Sequence, residues 1–181
     1  MKIIQLILCL LLTMPIYTFA YEKGELYEVN ELGWEVARTP VADLYVCKQC
    51  SSIIEVQISY GQKIEGSDFL KSNTEFIQAM KTPSVAEKFI KIMIKGSAPK
   101  IVDSDIVMVK IDPNSLINGN NFLNYSFFIK NKMQYPIFEN TYTGIFNGRI
   151  LKISANYLLG KANEKDLDIL ERFISSFKPQ L

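Results

Sequence analysis

Cys47-Lys48-Gln49-Cys50 is the stretch of this chain whose residue types and spacing could do chemistry. A Cys-x-x-Cys pair can shuttle electrons, supply half of a metal site, or close a small covalent ring. Redox chemistry needs a thiolate, and such motifs place the first cysteine at a helix N-terminus, where the dipole lowers its pKa. Here Ser51 and Ser52 lead into Ile54-Glu55-Val56-Gln57-Ile58-Ser59-Tyr60. Its apolar residues alternate with polar ones, the period of a half-buried strand. Lys48 offers a thiolate only modest help. A zinc site needs two further ligands, and the chain has no histidine and no third cysteine outside its leader. A structural disulfide between Cys47 and Cys50 is the favoured reading, with a thiol–disulfide redox role and a metal site shared between chains as alternatives.

If Lys48-Gln49 forms a two-residue turn, Cys47 lies opposite Cys50 and Tyr45 opposite Ser52. Val41 and Asp43 then share a face with Ile54 and Val56. Lys-Gln is poor for a tight primed turn, which argues for a longer loop. Closing so short a ring removes only about 2 kcal/mol of chain entropy.

Other chemistries are thinly supplied. Without histidine there is no imidazole base for a Ser-His-Asp or Cys-His nucleophile system. No glycine-rich phosphate loop occurs, and no cofactor is called for. Asp103/Asp105 and Asp166/Asp168 are paired carboxylates. The first pair fits a solvated turn, without the loop a calcium site requires. The second fits the first turn of a helix, where negative charge suits the macrodipole. Asn124-Tyr125-Ser126 is a formal glycosylation sequon inside an apolar strand, and is read as chance. Phe127-Phe128 is more informative. Neighbours in a strand point to opposite faces, so both are buried only if both faces of the sheet are covered; otherwise one marks a partner surface. Phe127, Phe128, Lys48 and Gln49 are therefore the partner-binding candidates.

The elements that position these residues follow from periodicity. Short strands are expected over 32–37 and 41–47, and a longer one over 54–60. Ser67 is placed to cap a helix carrying Phe69, Leu70, Phe76, Ile77 and Met80, broken at Lys81-Thr82-Pro83. Ser84 and Glu87 form a capping box for a second helix with Val85, Phe89, Ile90, Met93 and Ile94, ended by Gly96. Strands then return at 106–111 and 122–129, after a turn at 118–121. Asn147-Gly148 makes a type I′ hairpin whose inner face is Leu151, Ile153, Ala155 and Tyr157. Asn163 caps a last helix with Leu167, Leu170, Ile174 and Phe177 as its core stripe. The fold class is α+β: an antiparallel sheet packed against helices in an α/β sandwich, with two central helices and a C-terminal helix.

Residues 1–20 have the layout of a secretory signal peptide: Lys2, an apolar run from Ile3 to Leu12, and a small-x-small site at Thr18-Phe19-Ala20. Cys9 follows Leu6-Ile7-Leu8 inside that run, which does not fit a lipoprotein signal. Residues 21–181 then form a single domain of 161 residues, with 19 Lys+Arg against 19 Asp+Glu. That balance gives no electrostatic case for nucleic acid or an anionic membrane surface, and no stable membrane insertion is expected after cleavage. The expected location is periplasmic or secreted, where a cysteine pair is oxidised.

The closing stretch, Phe146 to Tyr157 followed by Leu167 to Phe177, resembles the end of the PsbP-like superfamily, in which a late hairpin leads into a final helix ending near Ser-Phe. That group includes photosystem accessory proteins, a Ran-binding nuclear import factor and exported bacterial lipoproteins. The resemblance covers about half of the chain; Trp34 to Tyr60 joins it by strand order alone. It implies an α/β sandwich with a non-enzymatic binding role, and it assigns no functional residue. The expectation is an exported, non-enzymatic protein that binds a protein partner, such as an accessory factor or an immunity protein that neutralises a toxin. A redox protein using Cys47 and Cys50, or a carrier of an apolar ligand, is the alternative.

Overall fold

The computed structural model of the protein describes residues 26–39, 42–63, 72–97, 102, 105–130 and 136–180. Residues 1–25, Val41, Ser67, Phe69, Leu70 and Asp103 lie outside these residues. The elements run β1 (Tyr27–Glu28), β2 (Trp34–Arg38), β3 (Ala42–Cys47), β4 (Ile54–Lys63), α1 (Asn73–Met80), α2 (Pro83–Ser97), β5 (Ile106–Ile117), β6 (Asn120–Ile129), β7 (Ile137–Phe146), β8 (Arg149–Leu158), α3 (Glu164–Ser175) and β9 (Lys178–Pro179).

The antiparallel sheet has the order β2-β3-β4-β8-β7-β6-β5, and β1 pairs with β9 as a separate ribbon. Two Asn-Gly turns close its tightest hairpins. Asn118 and Asn147 both have positive φ, as do the glycines after them, so each pair fits a primed turn. The first turn is tighter than expected: Ile117 lies opposite Asn120, and the strand resumes inside the Asn-Gly-Asn-Asn stretch.

Helices cover both faces of the sheet, but over different halves. On one face, α3 lays Ile169, Leu170, Phe173 and Ile174 onto Tyr45, Val56, Ile58, Ile153 and their neighbours. On the other face, Phe76, Ile77, Met80, Ala86 and Ile90 of α1 and α2 cover Leu123, Tyr125, Phe127 and Ile145. The α+β class and the sheet-on-helices architecture are as expected from periodicity.

Several local expectations are corrected. The described cap of α1 is Ser72, whose side chain accepts from the Glu75 backbone N–H. Helix α2 begins at Pro83, with the Thr82 carbonyl accepting from Val85 and Ala86, so Ser84 and Glu87 lie inside the helix and form no capping box. Proline's fixed φ suits the first helical position. The helix also runs past Gly96 to Ser97. Asn163 does cap α3, but Leu167 is 37% exposed; the buried stripe is Asp166, Ile169, Leu170, Phe173 and Ile174. One hundred degrees per residue carries Leu167 off that stripe.

The β3–β4 connection is the largest correction. Tyr45 lies opposite Val56 and Val46 opposite Glu55, so no two-residue turn exists and residues 48–53 form a six-residue loop. The slip is four residues. Because side chains alternate with period two, an even slip leaves Asp43, Tyr45 and Cys47 on the expected face with Ile54, Val56 and Ile58.

Candidate functional site

The six-residue loop is tied down at three points. Cys47 and Cys50 form a disulfide, with Cα atoms 5.6 Å apart. Lys48 donates its backbone N–H to the Gly33 carbonyl at 3.0 Å. Gln49 lies so close over Gly33 that a Cβ there would fall 1.7 Å from Gln49 Nε2, and φ of +86° at Gly33 also favours glycine. Lys48 and Gln49 are exposed, as their candidacy requires. Lys48 Nζ is 2.8 Å from Glu35 Oε2, an exposed pair of small energetic weight.

The third tether is Asp166. Its carboxylate accepts from Ser51 N (2.8 Å), Ser51 Oγ (2.9 Å), Ser52 N (3.1 Å) and Ser52 Oγ (2.7 Å). Asn163, which caps α3 by accepting from Asp166 N, also donates to Ser51 Oγ at 2.9 Å. The loop roofs the helix terminus and leaves Asp166 1% exposed. Burial alone raises the pKa of a carboxyl, but the hydrogen bonds from Ser52 and Ser51 outweigh it and hold Asp166 at about 2. A carboxylate with four donors is a clamp, with no proton to give near neutrality. Asp168 points to solvent, so the two do not act as a pair.

A second buried carboxylate, Asp43, accepts from the Tyr27 hydroxyl and lies 3.8 Å from Arg38 Nε. Tyr27 and Tyr45 hydroxyls are 2.9 Å apart, and burial pushes Tyr45 up to about 12. This cluster fastens the N-terminal ribbon to β3.

The other candidates fall at the far side of the sheet. Phe127 is 2% exposed beneath α1 and α2. It belongs to the core, which corrects its candidacy as a surface residue. Phe128 points to the opposite face and is half-buried. There it lies opposite Phe138, whose ring is 5.2 Å from that of Tyr157.

Around Phe128 lies a site that sequence reasoning missed. Asn124 and Ser126 precede it on the same face of β6, opposite Tyr142 and Asn140 of β7. Asn124 is 2% exposed and Ser126 4% exposed. Asn124 Nδ2 donates to Asn140 Oδ1 at 2.7 Å and to the Thr141 carbonyl at 3.2 Å. Among the described residues, Asn124 Oδ1, Ser126 Oγ and the hydroxyls of Tyr142 and Tyr157 have no hydrogen-bond partner. An open groove of about 320 Å³ runs beside them, with Asn140, Tyr142 and Tyr157 as floor, Leu167 and Glu171 of α3 as wall, and Leu116 at its end. The available signal was the pair of polar residues two apart, Asn124 and Ser126, set aside as a chance sequon. Asn124 is too buried in the fold to carry a glycan.

Among the described residues, no group of His, Cys, Asp or Glu is placed to hold a metal ion, and no helix is long and apolar enough to cross a membrane.

The fold is similar to that of several solved structures. A single-residue mutant of Mog1 superimposes with a TM-score of 0.53 at 8% identity, covering 87% of this chain and 92% of that one. The Ran-binding protein Mog1p of Saccharomyces cerevisiae gives 0.50 at 8% identity, over 81% and 85% of the two chains. A protein from Bacteroides thetaiotaomicron gives 0.50 at 11% identity over 90% of this chain, which spans about half of that protein's length (48%). At these identities the likeness is one of fold. No family model and no curated protein sequence matches the chain.

Proposed function

We propose that the chain is an exported, non-catalytic protein that acts by binding another protein, and that it belongs with the PsbP-like superfamily. Export is supported by the layout of residues 1–20. Superfamily membership is supported by the closing hairpin and helix and by the fold shared with Mog1. Mog1p is itself a Ran-binding protein, so this architecture serves protein recognition elsewhere.

The observation that carries the reading is the contrast in polar bookkeeping. The groups with chemical potential near the disulfide are consumed inside the fold, Asp166 by four donors. Asn124 Oδ1 and Ser126 Oγ, by contrast, lie at the base of an open face with half-buried Phe128 and Phe138 beside them. Polar side-chain atoms left unpaired beside an open face are available to hydrogen-bond directly, or through water, to a partner.

Crosslinking in intact native cells, followed by purification from the extracytoplasmic fraction, tests this. A defined protein adduct is expected. Recovery of the chain alone with every crosslinker length, or in the cytoplasm with residues 1–20 intact, would refute it. A reduction potential for Cys47–Cys50 above about −200 mV would instead support the redox alternative.

A further inference from the structure

The same dipeptide closes two hairpins of the sheet and is held differently in each. Asn118-Gly119 and Asn147-Gly148 both occupy two-residue turns, with Ile117 opposite Asn120 and Phe146 opposite Arg149. Each asparagine has positive φ, and both are exposed. In such a pair the side-chain amide is open to attack by the next backbone nitrogen, because glycine has no Cβ to block the approach. What differs is the tether on the amide. Asn118 Nδ2 donates to two carbonyls, Ser175 at 2.8 Å and Phe177 at 2.7 Å. Asn147 Nδ2 donates to one, Gln180 at 3.0 Å. Asn147 and Gly148 both line an open cavity of about 420 Å³, so water reaches them; of the other pair only Gly119 lines it.

We propose that Asn147 is a self-modification site, converted by water to aspartate or isoaspartate while Asn118 is spared, and that the conversion unfastens the C-terminal ribbon. Solvent base removes the Gly148 N–H proton, and the nitrogen attacks Asn147 Cγ. The N–Cγ bond forms, the Cγ–Nδ2 bond breaks, and ammonia leaves carrying a proton from solvent. One water then opens the cyclic imide at either carbonyl; nothing is oxidised or reduced. Either product has a carboxylate and no Nδ2 donor, so the bond to the Gln180 carbonyl is lost. Gln180 also donates its backbone N–H to the Leu26 carbonyl at 2.9 Å and Nε2 to Glu28 at 3.0 Å. Strands β1 and β9 pair over two residues each, Tyr27 with Pro179 and Glu28 with Lys178. One lost anchor is therefore a large share of what holds this end, and a short terminal ribbon opens locally at low cost.

The test is ageing of the purified protein in mildly alkaline buffer, folded and in urea, with tandem mass spectrometry locating each deamidated residue. In the folded protein Asn147 should convert about fivefold faster than Asn118, the effect of one further hydrogen bond on the amide. In urea, where the tethers are gone, the two should convert alike; a difference that persists there overturns the structural account. Asn147→Asp should speed hydrogen exchange at the Gln180 N–H about fivefold, whereas Asn121→Asp, which adds the same charge to the cavity wall, should leave it unchanged. Equal rates at the two sites in the folded protein overturn the self-modification. So does an Asn147 that stays intact while the urea-unfolded chain converts. Unchanged exchange at Gln180, both in Asn147→Asp and in the aged protein, overturns the unfastening.

Discussion

One face of the sheet is finished in two different ways. Over β2, β3, β4 and β8 it is sealed by α3, and Trp34, Tyr45 and Phe173 pack with ring centroids 4.3 to 5.0 Å apart. Asp166, one of two carboxylates buried in that region, is surrounded by donors. Over β5, β6 and β7 the same face is open, and Asn124 and Ser126 are buried without their full complement of hydrogen bonds. The sealed half carries stability; the open half keeps hydrogen-bonding capacity in reserve. The cover supplied by α3 separates the two, since buried polar residues occur in both.

That contrast can be broken most forcefully from the sealed side. Phe173→Ala empties the junction between α3, Trp34 and Tyr45, and should cost about 3–5 kcal/mol in chemical denaturation. Asp166→Ala strands four donors from Ser51 and Ser52 and should cost about 2–4 kcal/mol. The pH dependence of stability tests the same carboxylate. Its folded pKa, about 2, lies below the 3.8 of a free aspartate. Its contribution is therefore complete above about pH 4 and disappears as pH falls through 2. Asp166→Asn should flatten that part of the acid denaturation profile. Replacing Cys47 and Cys50 together by serine should cost about 2 kcal/mol, the entropy of a small ring. The open side should behave oppositely. Ser126→Ala removes an unpaired hydroxyl beside the open groove, so its stability should change by less than about 0.5 kcal/mol, while partner capture weakens. A large loss of stability from Ser126→Ala would erase the distinction between the halves.

Much of the architecture was legible because its signals are local. Alternation in Ile54–Tyr60, the Asn-Gly turns and the Asn163 cap each depend on residues adjacent in the chain. What escaped depends on residues far apart. Asp166 read as a first-turn acid because nothing near it announces Ser51 and Ser52, some 115 positions away. Lys48-Gln49 argued for a loop longer than two residues, but its length was hidden because a slip of four leaves every face unchanged. Asn124 and Ser126 looked incidental because their significance lies in missing partners, which no pattern in the chain displays.

The seam between the two halves bears on how the chain reaches this state. Strands β2, β3 and β4 are neighbours in sequence, as are β5 through β8, so each set can zip from short loops. The seam between β4 and β8 instead places Ile58 opposite Ile153, about 95 residues along the chain. Loop closure of that length must precede its hydrogen bonds, which makes it the natural kinetic bottleneck. Helix α3 can bridge the two subassemblies only once the seam has formed. The groove beside α3 is thus one of the last surfaces to be assembled, and anything that binds there meets only molecules that have finished folding.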